Sequence, residues 1–149
     1  MIEFTPKYIT FDCYGTLTSF GMAAMTREMF ADRIPPEQME LFVKNFASYR
    51  LNEVLGAWQP YVDVICNALE RTCKLWKIKF NQSEALSYYE AVPTWGPHAD
   101  VAAGLSKIAD KIPLVILSNA ANDQIQHNVD KLGAHFPHVY TAEQAQAYK

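Results

Sequence analysis

The stretch Tyr8-Ile9-Thr10-Phe11-Asp12-Cys13-Tyr14-Gly15-Thr16-Leu17 decides how the rest of the chain is read. Its first four residues, YITF, are aromatic and β-branched, which suits a buried strand better than an amphipathic helix. Pro6 stands where a strand can begin, and Gly15 breaks the regular structure soon after it. The strand therefore ends in a carboxylate. Such a carboxylate can attack an electrophilic carbon or phosphorus and form an ester, and desolvation with fixed donors makes it effective. The plain alternative is an aspartate that caps the amides of its own loop.

Downstream of this strand the pattern turns helical. Residues 22 to 31 fit a first helix with Met25, Met29 and Phe30 inward. Pro35-Pro36 opens the next, because proline is tolerated at a helix start and not inside one. Met39, Phe42, Val43, Phe46 and Tyr49 or Arg50 follow at helical spacing. Gly56 and Pro60 mark a break. A third helix is expected over about 60 to 77, through Val62, Ile65, Cys66, Leu69, Cys73 and Trp76. A fourth follows Asn81, an N-cap residue with Glu84 three places on, the spacing of a capping box.

At residues 92 to 98, VPTWGPH, two prolines and a glycine predict a hinge or tight re-entry. A short helix with Val101, Leu105 and Ile108 on one side comes next. Leu114-Val115-Ile116-Leu117 is an apolar run ending at Ser118 and Asn119, and it reads as a central parallel strand buried on both faces. A helix over 123 to 132 is closed by Gly133, and a last strand is expected over 138 to 141 before a helical or irregular tail. Strands separated by helices predict an α/β fold with a parallel sheet. The helical stretch after the first strand is too long for one crossover and reads as an inserted cap. The segments are then 1–19, core; 20–91, helical cap; and 92–149, core continued. The strand ends near Asp12 and Ser118 are expected to meet, since open parallel sheets carry their sites at the carboxyl ends of strands. Three strands are few for a doubly wound sheet, so the chain reads as about the first two-thirds of a larger fold.

Composition narrows the function. The chain has 149 residues, enough for one ordinary domain, and half are hydrophobic, so a core can form. A net charge of -3 gives no basic footprint for nucleic acid. No apolar run approaches the roughly 20 residues that span a bilayer. The start MIEFTPKYITFD lacks a signal-peptide pattern, so a cytoplasmic protein is expected. Cys13, Cys66 and Cys73 have no metal-site spacing and are expected to be free thiols. The four histidines form no HExxH or His/Cys cluster, and no structural metal is expected.

The phrase Phe11-Asp12-Cys13-Tyr14-Gly15-Thr16-Leu17 resembles the first motif of the haloacid dehalogenase superfamily, in the form FDxYGTL of its L-2-haloacid dehalogenase branch. Leu114-Val115-Ile116-Leu117-Ser118-Asn119 resembles the second motif. Ala147-Tyr148-Lys149 matches the start of the third, which in the family continues into a proline. The resemblance implies a Rossmann-like core with an inserted helical cap, no cofactor, and a small 2-haloacid or other small carboxylate as substrate. It implies that Asp12 displaces halide from C2 with inversion and that water then hydrolyses the aspartyl ester. Thr16 would orient the carboxylate, or serve as a turn hydroxyl. Lys149 would neutralise it, or remain solvated. Ser118 and Asn119 would bind the substrate carboxylate, or only end a strand. The family's further Ser-x-Asn-x-x-Asp-like loop has no counterpart in the sequence.

Tyr14 separates subclasses. Phosphatases of the superfamily usually have a second aspartate there, as acid and base for the leaving group. A phenol does not readily take that role near neutral pH, and halide leaves without a proton. Tyr14 is thus placed with the substrate-binding residues, with core filler as the alternative. The family's cap arginine falls at Val43. Arg50, seven residues on and roughly on the same face, is the candidate replacement, with a salt-bridged or solvated arginine as the alternative. Trp58, Tyr61 and Trp95 line an apolar pocket or pack the core. Two other functional classes stay open: a Mg-dependent phosphatase, and a non-catalytic scaffold that forms a homodimer through an open sheet edge.

Overall fold

The computed structural model describes residues 5–149; residues 1–4, the start both of the 1–19 segment and of the sequence inspected for a leader, lie outside the described residues. The chain divides into two compact units. One takes in residues up to Phe20, Pro93–Ala145 and Lys149, and the other takes in Gly21–Val92 and Gln146–Tyr148.

The first unit is an α/β layer. Strands β1 (Ile9–Phe11), β2 (Leu114–Ser118) and β3 (His138–Thr141) form a parallel sheet in the order β1-β2-β3. Ile9 pairs with Leu114 and Phe11 with Ile116, while Val115 pairs with His138 and Ser118 with Thr141. The run read as a central strand is therefore central. It is buried on one face and, on the other, only at Val115. Leu114 and Ile116 join a core with Val101 and Leu105 of helix α5 (Val101–Ser106) and Ile125 and Val129 of helix α6 (Asn122–Val129). Leu117, one residue on, is 47% exposed, and its neighbours Tyr8 and Tyr140 are 61% and 52% exposed. The reason lies in the connections. The sheet steps twice in one direction, and right-handed crossovers that step the same way lay their helices on the same face. The other face is a shallow trough lined by Tyr8, Thr10, Val115, Leu117, His138 and Tyr140.

The second unit is helical: α1 (Met22–Met29), α2 (Pro36–Val54), α3 (Tyr61–Leu75) and α4 (Gln82–Ala91). Pro36 takes the first turn of α2, where the missing N–H costs nothing. Phe30 and Phe42 pack as tilted rings with centroids 4.7 Å apart, Phe46 and Tyr88 likewise at 5.1 Å, and Ile65, Leu69 and Cys73 of α3 are fully buried. In α1 the inward positions are Met22 and Thr26 more than Met25 and Met29, because Thr26 satisfies its hydroxyl locally on the Met22 carbonyl and receives the Tyr88 hydroxyl at 2.9 Å. Asn81 caps α4 through Ser83 N–H, but Glu84 does not complete a capping box. Its carboxylate turns instead to Arg33, 2.9 Å away, where a full charge is the stronger partner. All three cysteines are free. No described helix is long and apolar enough to cross a membrane.

The one-sided sheet is testable on neighbouring residues. Ile116→Ala should cost about 2–5 kcal/mol, and Leu117→Ala about 0.5 kcal/mol or less. Urea unfolding of both variants measures the difference; equal losses would mean that both faces are covered.

Candidate active site

Asp12 follows the last residue of β1, where the chain leaves the sheet. The next residues wind tightly around one acceptor. The Cys13 carbonyl takes the N–H groups of Thr16, Leu17 and Thr18 at 3.2, 2.9 and 2.9 Å, and Gly15 N–H closes on the Thr18 carbonyl at 2.7 Å. Gly15 sits at φ 81°, in the left-handed region. A Cβ there would meet nothing within 4 Å, so the demand for glycine is conformational and not a matter of space.

This turn brings the Thr16 hydroxyl back to donate to Asp12 Oδ2 at 3.1 Å. The other carboxylate oxygen, Oδ1, accepts from Lys149 Nζ at 2.7 Å, and the same ammonium donates to the Leu117 carbonyl. The two side chains are 36% and 41% exposed. An ion pair that open contributes about 0–1 kcal/mol to stability, so its weight lies in placing charge beside the carboxylate. Asn119 holds the lysine from behind. Its Oδ1 accepts Lys149 N–H at 2.9 Å and its Nδ2 donates to the Lys149 carbonyl at 3.2 Å. The carboxamide thus pairs with the lysine backbone much as a neighbouring strand would.

Asp12, Thr16, Asn119 and Lys149 are therefore brought together. Ser118 is close by in sequence but buried, and its Oγ has no hydrogen-bond partner among the described residues. The Tyr14 hydroxyl donates to Asn128 Oδ1 at 2.9 Å, and its ring meets Trp95 edge-on. Arg50 belongs to the helical unit, where its guanidinium lies 5.0 Å from the Phe46 ring centre. Burial pushes the nearby Tyr61 phenol up, and the Arg50 charge partly offsets the rise. Cys13 is fully buried with Sγ 3.5 Å from Thr18 Oγ1, and burial pushes its thiol up, away from a nucleophilic thiolate.

Two further groups were not foreseen. Glu143, in helix α7 (Ala142–Ala145), accepts the first-turn N–H of Asn122 in α6, while Thr141 Oγ1 donates to Asn122 Oδ1 at 2.6 Å. An acid at a helix start is a favourable pairing, but no sequence spacing announces one supplied 21 residues later. Asn128 is fully buried on α6. At 100° per residue it stands about 60° from the buried Ile125 around the helix, and that position beside the apolar stripe is its one legible sign. Both oxygens of Asp12 already have partners, and among the described residues no three His, Cys, Asp or Glu side chains gather as a metal site.

No protein-family model matches this chain, and no curated protein does. Solved structures do. An L-2-haloacid dehalogenase, RSc1362, aligns with a TM-score of 0.76 at 20% identity, over 96% of this chain and 66% of its own. The L-2-haloacid dehalogenase from Xanthobacter autotrophicus aligns with a TM-score of 0.77 at 23% identity, over 97% of this chain and 60% of its own. The HAD-hydrolase YfnB from Bacillus subtilis, bound to magnesium, aligns with a TM-score of 0.75 at 14% identity, over 97% of this chain and 69% of its own. The fold is thus that of the haloacid dehalogenase structures, and this chain spans about 60–66% of the length of those two dehalogenases.

The Asn119 clamp can be probed without any assumption about activity. Asn119→Ala removes both contacts to the Lys149 backbone and should speed hydrogen exchange of the Lys149 amide roughly tenfold, leaving the β2 amides unchanged. An unaltered Lys149 amide would show that the pairing holds nothing.

Proposed function

We propose that this chain carries the nucleophile-bearing part of a hydrolase that displaces halide from small 2-haloalkanoic acids. The observation that carries the reading is the Asp12 carboxylate, fixed between the Thr16 hydroxyl and the Lys149 ammonium at the end of a parallel strand. In the reaction a carboxylate oxygen of Asp12 attacks C2. The new C–O bond forms as the carbon–halogen bond breaks, and the bonding pair leaves with the halide. Backside attack inverts C2. Water then adds to the Asp12 carbonyl carbon of the ester, and the collapse returns the carboxylate, the 2-hydroxy acid and a proton.

The surroundings support each part of this reading. The Lys149 ammonium stabilises the carboxylate in the orientation from which it attacks. The Ser118 hydroxyl, buried without a partner among the described residues, is a donor for the substrate carboxylate. Tyr14 supplies no acid, and a halide needs none. The helical unit is read as the cap. The magnesium of YfnB raises the phosphatase as a second reading, and Tyr14 weighs against it, because a phenol does not readily serve as acid and base for a leaving group near neutral pH.

A homodimer belongs to the same proposal. Leu41 and Leu51 of α2 and Leu55, its C-cap residue in helical conformation, are 55%, 58% and 75% exposed, and they fall within about 80° of helical arc. An apolar stripe of that kind marks an association surface. Sedimentation should show a dimer that Leu51→Lys with Leu55→Lys returns to monomer; a wild-type monomer at micromolar concentration rules the stripe out.

The decisive assay is halide release from racemic 2-chloropropionate and from chloroacetate. The wild-type chain should release at least one equivalent of halide per chain without added Mg²⁺, and Asp12→Asn none. Release that survives in a folded D12N chain, or none from a folded wild type, overturns the reading. Mg²⁺-dependent phosphate ester hydrolysis would favour the second reading.

A further inference from the structure

We propose that Asn128 is a positioning residue for Asp12, acting through Tyr14. The inference rests on the reading of Asp12 as nucleophile only for its kinetic consequence. Its structural content stands on a buried carboxamide that joins three segments of the core unit.

Asn128 is fully buried. A carboxamide taken out of water is costly unless its donors and acceptors are matched. Here they are matched by groups far apart in sequence. The Tyr14 hydroxyl, 114 residues away, donates to its Oδ1 at 2.9 Å, and its Nδ2 donates to the Trp95 carbonyl at 3.0 Å. Three residues on, just past the end of α6, Lys131 Nζ donates to the Pro93 carbonyl at 2.6 Å and to the Trp95 carbonyl at 3.3 Å. The segment so fastened is itself joined to the end of the nucleophile loop. Ser19 N–H donates to the Gly96 carbonyl at 2.9 Å, and His98 N–H to the Leu17 carbonyl at 3.1 Å. Tyr14, Leu17 and Ser19 of the nucleophile loop are thus held by Asn128 itself or by the segment that Asn128 and Lys131 fasten.

The consequence for Asp12 follows from the loop's size. Only Cys13 separates it from Tyr14, and the turn has the left-handed Gly15 as its pivot. A phenol whose ring is wedged against Phe20 and Trp95 and whose hydroxyl is bonded in the core cannot move without carrying its own backbone along. Asn128 therefore fixes residue 14, and residue 14 fixes the direction from which the Asp12 carboxylate leaves the strand. Misplacement of a reacting group by about 1 Å can cost 100-fold in rate.

The bond also has a chemical effect. Tyr14 stands where an acid would serve a basic leaving group, and its proton is directed into Asn128. The same carboxamide that aligns the nucleophile thus withdraws the neighbouring proton from the reaction, which suits a leaving group that departs as an anion.

The test is a cycle of Tyr14→Phe, Asn128→Leu and the double variant in the full chain. Tyr14→Phe and Asn128→Leu each remove the bond between the two side chains, and Asn128→Leu also removes the donor to the Trp95 carbonyl, so the double variant has no further shared bond to lose. Hydrogen exchange at the Gly15, Thr16, Leu17 and Thr18 amides should quicken at least tenfold in both single variants, quicken in the double by no more than in the more affected single, and stay unchanged in α2 and α3 throughout. In halide release, kcat should fall about 10- to 100-fold in the single variants with KM little altered, and fall no further in the double than in the worse single. A wild type that releases no halide removes the kinetic readout and the hydrolase reading, but the exchange cycle still decides this proposal. Unchanged exchange at 15–18 in either folded single variant, or losses that simply add in the double, overturns it. Tyr14→Phe deletes one oxygen and keeps the ring, so it decides the matter even if Asn128→Leu does not fold.

Discussion

Parallel pairing of three strands sends every carboxyl end to one edge of the sheet, and the candidate site depends on that constraint. Phe11 pairs with Ile116, so Asp12 stands beside Leu117. One ammonium can then take both the Asp12 carboxylate and the Leu117 carbonyl. Ser118 pairs with Thr141, which brings the start of α6 to the turn after β3, where Asn122, Thr141 and Glu143 join. A slip of one residue would send Ile116 to the open face and turn Leu117 inward. The apolar contrast between the two faces therefore fixes the register, and the register fixes the site.

The same constraint explains how the core unit tolerates an open face. Purely parallel sheets are normally covered on both sides. Here α5 and α6 cover one, and the other presents Tyr8, Leu117 and Tyr140. The solved structures that share the fold are longer than this chain, which spans 60% and 66% of the two dehalogenases. The face with the buried core is the one that carries the anchors of the nucleophile loop, Cys13 and Tyr14, so the site's geometry is built on the covered side.

Much of this was legible in the sequence where chemistry and local conformation coincide. The strand before Asp12, the glycine turn, the prolines at the helix starts and the Asn81 cap are local matters, settled within a few residues. What local reading could not supply was partnership across the fold. An unbroken apolar run says that a strand is central, but it cannot say that only one face has helices, because that depends on the direction in which the chain crosses. Glu84 had the spacing for a capping box and went to Arg33, a charged partner that the spacing does not register. The pairing of the Asn119 carboxamide with a backbone 30 residues away is likewise a contact that no local spacing announces. Asn128 has as partners a phenol and a carbonyl that only the topology brings to it.

The reading of the site makes unequal demands in its two half-reactions. Alkylation of Asp12 needs a fixed carboxylate, a neighbouring positive charge and a leaving group stable as an anion. The contacts of Asp12 meet the first two conditions, and a haloacid meets the third. Hydrolysis of the ester needs more. Water must be deprotonated as it adds to the Asp12 carbonyl, and the anion formed there must be stabilised. Lys149 serves the second need, since its ammonium already lies on a carboxylate oxygen. The first is not served by a protonated amine, an alcohol or a carboxamide near neutral pH, and these are the groups that Lys149, Thr16 and Asn119 contribute. The four-residue cluster is thus matched to forming the ester more closely than to releasing it. Sustained turnover would require a base from beyond that cluster, while one equivalent of halide would need only what the cluster contains.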